Sequence, residues 1–308
     1  MWFFIALIVL ILVCVIAGYY FYKFVFYIPI DKRFTPDSYR NHKFFNPYKS
    51  FLIPKLDAII EEPYEQIYIT SEDGLKLAAK YYHNSDSAPY VIFLNGYKGH
   101  AYGDFAAHFY LIKSLGYNIL LTDQRACGLS EGDCATFGIK ERYDCVAWAD
   151  YLTSRFGDDI RICLFGISMG AATVMMALDL NPPETVKCII EDCGYTSPKE
   201  VLCYNAEIMN IPKHLGYFLT SVGARIYGKF NLNESTAIDA ISKSKLPILY
   251  IHGTADDFVP FWMLDKLYQA GGGPKAKLAV KDAGHAVSYP QNPDEYEKSV
   301  KAFLAEYL

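Results

Sequence analysis

The first 22 residues of this 308-residue chain carry no charged side chain. No basic residue precedes that run and no Ala-x-Ala pattern follows it, which argues against a signal peptide that is cleaved away. Val13, ahead of Cys14, is not the small residue that a lipid-processing site prefers. A basic excess is also missing. The formal net charge is -5, so no broad cationic surface for nucleic acid is implied. Zinc-finger, basic-zipper and RNA-binding signatures are absent, as are internal repeats and low-complexity tracts. Cysteine lacks a staple-like layout: Cys127, Cys134, Cys145, Cys163, Cys188, Cys193 and Cys203 follow Cys14. An odd number of this kind suits a reducing compartment, and several fall in apolar strands as small core residues.

What the leading segment does contain is MWFFIALIVLILVCVIAGYYFY. As a helix it is long enough to cross a hydrocarbon layer of roughly 30 Å. Trp2, Phe3 and Phe4 lie at one end, and Tyr19, Tyr20, Tyr22 and Tyr27 at the other, where amphipathic rings favour the headgroup level. Residues 1–30 are therefore expected to be a retained single-pass anchor, with the lipid bilayer as a partner. Lys23, Lys32, Arg33, Arg40, Lys43, Lys49 and Lys55 all follow the span, which puts the large domain on the cytoplasmic side. The sequon at Asn233 would matter only on the outside of a glycosylating cell.

Residues 31–62 are polar, aromatic and proline-punctuated, and read as a linker or irregular collar. From residue 63 the pattern alternates. Residues 66–70 and 75–82 form a hairpin around Gly74, and 90–94, 118–121, 160–165, 186–190, 247–251 and 276–280 supply six more strands. Helices are expected over 108–115, 140–155, 171–180 and 294–307. The result is an α/β domain over 63–308, a mostly parallel eight-stranded sheet with helices on both faces. Residues 197–244 hold no convincing strand but several apolar helical clusters, and fit a small helical cap over the C-terminal edge of the sheet, where ligands bind in such folds.

Gly166-Ile167-Ser168-Met169-Gly170 follows a strand and precedes a helix. A nucleophile elbow needs that context: the turn is so tight that the residues two before and two after the serine approach each other, and glycine relieves the crowding. The alternative is a crowded structural turn. A serine hydroxyl needs a base, and His285, after the last strand and beside Gly284, is the candidate; otherwise it is a surface histidine after a turn. The imidazole needs an acid. Asp256 is preferred, with Asp257 expected to cap the helix that Pro260 helps begin, and Asp192 kept as a rival. The order Ser168, Asp256, His285 excludes chymotrypsin-like and subtilisin-like arrangements. Two backbone amides should hold the oxyanion: Met169, after the serine, and Tyr97, in the loop Asn95-Gly96-Tyr97-Lys98-Gly99. That loop could also be an ordinary glycine turn. Asp123 and Arg125 are read as bracing the loops beneath the site with an ion pair.

Residues 95–99, 123–132, 166–172, 252–260 and 284–289 together make the chain from residue 63 onward resemble a bacterial-type serine hydrolase of the α/β-hydrolase superfamily, in its serine-aminopeptidase-like and esterase-like group. The resemblance implies Ser168 as nucleophile, Asp256 as acid, His285 as base, Tyr97 and Met169 as the oxyanion hole, and a helical cap over 197–244. Asn95 stands where such proteins commonly have histidine, and Ala126 where they often have glycine. The expected reaction is hydrolysis of an ester of an apolar acyl group through an acyl-enzyme on Ser168, with no metal or organic cofactor. The substrate would be a small-molecule ester. A serine aminopeptidase or amidase acting on short peptides, with Glu191, Asp192 or Glu200 receiving the substrate amine, is the alternative. A non-catalytic binding protein and an acyl transferase are further ones.

Overall fold

The computed structural model describes residues 1–308, leaving aside the side chain of Phe44. Eight strands form one sheet: β1 (Glu65–Thr70), β2 (Lys76–Tyr82), β3 (Tyr90–Leu94), β4 (Asn118–Asp123), β5 (Ile162–Ile167), β6 (Val186–Asp192), β7 (Ile248–Gly253) and β8 (Lys275–Val280). Their spatial order is β1-β2-β4-β3-β5-β6-β7-β8. β1 and β2 pair antiparallel, as does β2 with β4, and every pairing from β4 to β8 is parallel. This is the α/β-hydrolase fold that the strand pattern and the motif order predict.

Twelve α-helices accompany the strands: α1 (Trp2–Val25), α2 (Pro36–Asn41), α3 (Lys49–Glu61), α4 (Ala101–Ser114), α5 (Glu141–Phe156), α6 (Met169–Met176), α7 (Pro198–Ile208), α8 (Lys213–Gly223), α9 (Ala237–Lys243), α10 (Trp262–Ala270), α11 (Ser288–Gln291) and α12 (Pro293–Tyr307). The apolar strands face two cores because neighbouring side chains point oppositely. Val91 and Phe93 join Leu56 of α3, Phe105 of α4 and Val300 of α12. Ile92 and Leu94 join Trp148 of α5, Val174 of α6 and Leu264 of α10. Phe93 and Phe105 meet with ring centroids 4.4 Å apart, each fully buried. Burial of one such ring contributes about 2–3 kcal/mol.

α4 begins at Ala101 rather than near residue 108. Its first turns read AYGDFAA, where glycine and alanine dilute the apolar periodicity, and Gly103 is needed because a Cβ there would lie 2.2 Å from the Tyr39 ring. Residues 36–61 also differ from an irregular collar. They form α2 and α3, and Tyr39, Leu56 and Ile59 are buried against the domain. Pro36 sits at the first turn of α2, where its missing N–H costs nothing. Pro54 lies inside α3 and hides its helical pattern.

Residues 197–244 form α7, α8, a π-helical turn over Ala224–Gly228 and α9. α1 runs onto this layer. A Cβ on Gly223 of α8 would lie 2.4 Å from the Gly18 carbonyl oxygen, and one on Gly18 would lie 2.9 Å from Val222 Cγ1. The two helices thus touch backbone to backbone through small residues. Beyond α1 the chain is stitched to the domain. Ile28 N–H donates to Asp133 O at 2.7 Å, and Ala135 N–H to Phe26 O at 2.9 Å. Arg33 then donates to the carbonyls of Gly128, Ser130 and Gly132.

Candidate active site

β3 lies between β4 and β5, so the chain turns to opposite sides after β3 and after β5. The loops leaving the C-terminal ends of these two strands frame a crevice. Ser168 stands at the end of β5 with φ 56°, ψ -116°, a region that non-glycine residues rarely adopt. The two flanking glycines are obligatory. A Cβ on Gly166 would lie 2.2 Å from Gly170 O, and one on Gly170 would lie 1.9 Å from Leu94 O. The turn therefore forces the serine side chain away from the sheet and into the crevice.

The structure brings the three expected side chains together. His285 Nε2 lies 2.8 Å from Ser168 Oγ, and His285 Nδ1 lies 2.7 Å from Asp256 Oδ2. Burial acts to raise the Asp256 pKa, but hydrogen bonds from His252 and His285 outweigh it and hold the carboxyl well below the usual carboxylate range. An ionised carboxylate only accepts, so His285 Nδ1 carries the proton and Nε2 is free to accept from the serine hydroxyl.

Asp256, not Asp257, caps the following turn. Its Oδ1 accepts from Phe258 N–H at 3.0 Å and Val259 N–H at 2.8 Å. Asp257 instead borders a cavity beside Ser168. The rival acid Asp192 is buried and accepts from Tyr296 Oη at 2.8 Å, while its carbonyl accepts from Ser168 N–H at 2.8 Å. It supports the elbow from below. Asp123 and Arg125 do not pair with each other. Lys80 Nζ approaches Asp123 at 3.3 Å, and Arg125 bridges Asp144 at 2.7 Å and Asp73 at 2.9 Å.

The loop after β3 faces the elbow. A Cβ on Gly96 would lie 3.5 Å from Ser168 Cβ, and Tyr97 borders both cavities that reach the serine. Met169 is the first residue of α6, so its N–H has no intrahelical acceptor. Asn95 is fully buried; its Oδ1 accepts from Gln124 N–H at 3.3 Å, which ties the loop to the end of β4.

Two contributors were not expected from the sequence. His252 Nε2 donates to Val259 O at 2.8 Å and lies 3.2 Å from Asp256 Oδ2, a second imidazole on the same carboxylate. Asp104 of α4 accepts from Gly96 N–H at 2.7 Å and from Tyr39 Oη, and so fixes the loop before Tyr97. His252 lies in the motif at 252–260 but reads as the end of a strand. Asp104 has no local signal, because its partners come from residues 39 and 96.

Cys193 Sγ lies within 4.8 Å of ligand atoms of Asp256 and His285. Burial pushes its pKa well above the usual thiol range, so it stays a protonated thiol beside the relay.

Two cavities meet at Ser168. One, of about 350 Å³, is bordered by Phe34, Tyr39, Asp104, Phe258 and His285. The other, of about 260 Å³, runs between α1 and the cap, lined among others by Phe21, Phe24, Phe137, Tyr195, Leu202 and Met209. Lys98 is the one charged side chain lining it among the described residues. Glu191, Asp192 and Glu200 border neither. Glu191 is buried against Gly194 N–H at 2.9 Å, and Glu200 pairs with Lys266 at 2.9 Å.

Comparison with known proteins agrees with this architecture. The Bacillus subtilis protein YqkD is 28% identical over 198 residues, 64% of this chain and 65% of YqkD, so the match spans just under two thirds of that relative. The Arabidopsis thaliana α/β-hydrolase domain-containing protein WAV2 is 28% identical over 253 residues, 79% of each chain. The Pyrococcus furiosus esterase Pf2001 superposes with a TM-score of 0.65 at 23% identity, covering 81% of this chain and 95% of that one. The prolyl oligopeptidase family matches residues 104–308, from within α4 to the last residue, and this chain belongs to that family as a serine hydrolase on the α/β-hydrolase fold.

Proposed function

We propose that the chain hydrolyses carboxylic esters of apolar acyl groups through an acyl-enzyme on Ser168. The observation that carries this reading is the unbroken relay from Ser168 Oγ to His285 to Asp256, 2.8 and 2.7 Å, opening onto an apolar cavity. His285 Nε2 takes the serine proton as Oγ bonds to the carbonyl carbon. The N–H groups of Tyr97 and Met169 receive the oxyanion. The C–O bond to the alcohol breaks, and the alcohol leaves with the proton from His285. Water, deprotonated by the same nitrogen, then releases the acid and frees Ser168.

A peptidase reading is favoured by the family itself. It requires an anion for the substrate amine, and the three acids with that expected role lie outside both cavities. Asp104 and Asp257 do border one: the oxygens of Asp104 are already engaged by Tyr39 and Gly96, which leaves Asp257 as the acid a peptidase reading would use. An ester of an apolar acyl group is preferred because the other cavity at Ser168 is lined mainly by apolar side chains and, among the described residues, by no acid. Pf2001 is an esterase, which agrees with this choice.

α1, with a mean hydropathy of 2.8 in its most apolar window, is proposed as a membrane anchor with the domain on the cytoplasmic side, given the lysines and arginines that follow it. Protease treatment of intact cells tests that orientation: digestion of the domain from outside would reverse it.

The activity test uses the full-length protein in detergent. A fluorophosphonate should label the wild type at Ser168, and Ser168→Ala should lose both labelling and at least about 10⁴ of kcat on a short ester. A clear preference for aminoacyl amides over esters would reverse the substrate ranking. A folded wild type that takes no label would end the hydrolase reading.

A further inference from the structure

The apolar cavity at Ser168 is walled by the same helix that is apolar enough to enter a bilayer. Phe21, Phe24 and Val25 of α1 face Leu202, Met209 and Gly216 of the cap across it. Length then matters. Residues 1–13 are exposed, whereas contact with the domain begins at Cys14 and Val15, where Tyr227 Oη donates to Val15 O at 3.2 Å. The free part of α1, residues 2–13, measures about 18 Å at 1.5 Å per residue. The hydrocarbon layer is roughly 30 Å thick. α1 cannot cross it on its free part alone, so the part docked on α8 must enter too.

The outer surface of the cap fits that position. Ile208, Leu215, Phe218 and Ile226 are between 47% and 53% exposed, an apolar set on the cap. Lys213 begins α8 and is exposed, pairing with Glu207 at 2.8 Å, as suits the headgroup level.

We propose that the cap is sunk beside α1 into one leaflet and that the cavity between them admits the acyl chain of a membrane-resident ester laterally from the bilayer. This rests on Ser168 as the nucleophile. The substrate class is then a lipid ester whose carbonyl reaches Ser168 while its chain remains among apolar side chains. The alcohol side would lie toward the second cavity, bordered by Tyr39 and Asp257. Hydrolysis consumes one water and yields a fatty acid and the alcohol.

The test uses the full chain reconstituted into phosphatidylcholine vesicles. The probes are 4-methylumbelliferyl oleate, which partitions into the bilayer, and 4-methylumbelliferyl acetate, which does not. Two variants are compared with wild type: Leu215→Glu with Phe218→Glu, which charges the outer cap face, and Ala206→Phe, which fills the cavity because Ala206 of α7 lines it. Both should lower the oleate-to-acetate rate ratio by more than about tenfold. The proposal is overturned if the ratio is unchanged in both variants, or if wild type cleaves acetate and leaves vesicle-borne oleate untouched. If one variant fails to fold, the other decides. Fluorophosphonate labelling separates the two levels: no label and no hydrolysis of either ester sinks the underlying serine-hydrolase reading, whereas labelling and acetate cleavage without a ratio change overturn only the bilayer route.

Discussion

The hydroxyl of Tyr97 donates to the carbonyl oxygen of Val25, the last residue of α1. Lys98 Nζ reaches the neighbouring Phe24 carbonyl at 3.5 Å. The last carbonyls of a helix have no intrahelical donors, and here the loop beside Ser168 supplies them. α1 and that loop are thereby one mechanical unit.

Tyr97→Phe removes that tie and keeps the backbone amide. It should lower stability by about 1 kcal/mol while fluorophosphonate labelling persists. Thermal unfolding in detergent checks the first part. An unchanged melting temperature would mean that the tie contributes nothing to the fold.

Gly170→Ala should prevent folding. The added methyl would sit 1.9 Å from Leu94 O and 2.8 Å from Asn95 O, both backbone atoms that cannot move without shifting β3. The expected loss is on the order of 3 kcal/mol or more. Gly74→Ala is the comparison. Nothing lies within 4 Å of that position, but its φ of +88° should still cost about 1 kcal/mol. Folded yields of the two variants should differ sharply, and equal yields would contradict the crowding.

Asp104→Ala leaves Gly96 N–H without its acceptor and should lower kcat by about tenfold to a hundredfold, with KM for a small ester little changed. Asp104→Asn keeps one oxygen for Gly96 and can donate to Tyr39 Oη, so it should restore most of the rate. A fall in KM-dependent binding alone, or no rescue by asparagine, would show that Asp104 does not position the loop.

Asp192 carries a pH signature. Burial raises its pKa to about 6, against about 3.9 in an unfolded chain. A carboxyl that binds its proton more tightly when folded adds stability at low pH, and this is lost as pH rises through about 6. The wild type should therefore lose up to about 3 kcal/mol from this group between about pH 3 and about pH 7. Asp192→Asn retains an acceptor for Tyr296 and should flatten that part of the profile. Identical pH dependence of unfolding in the two proteins would remove Asp192 as its source.

The parts of the fold readable in the sequence are those where one local rule acts alone. YVIFL at 90–94 is a buried strand because nothing polar interrupts it, and the elbow is readable because only glycine fits at 166 and 170. The helices at 36–61 escape because Pro36, Pro47 and Pro54 break the pattern by which a helix is recognised. Asp256 and Asp257 are adjacent and chemically identical, so their division of labour depends on a turn geometry that no spacing encodes. His252 and Asp104 escape for a different reason: each acts on a partner brought close only by the finished sheet.

The stitch formed by Ile28, Ala135 and Arg33 also bears on where this protein begins as a folding unit. Phe26 and Ile28 are core residues, at 0% and 2% exposure, so the strand pattern that starts at residue 63 marks a change of rhythm rather than a seam. A leash would let the domain swing and sample any angle relative to α1. This connection has no slack to give, and it leaves the molecule keeled, with the mouth of its reactive crevice turned to one fixed bearing.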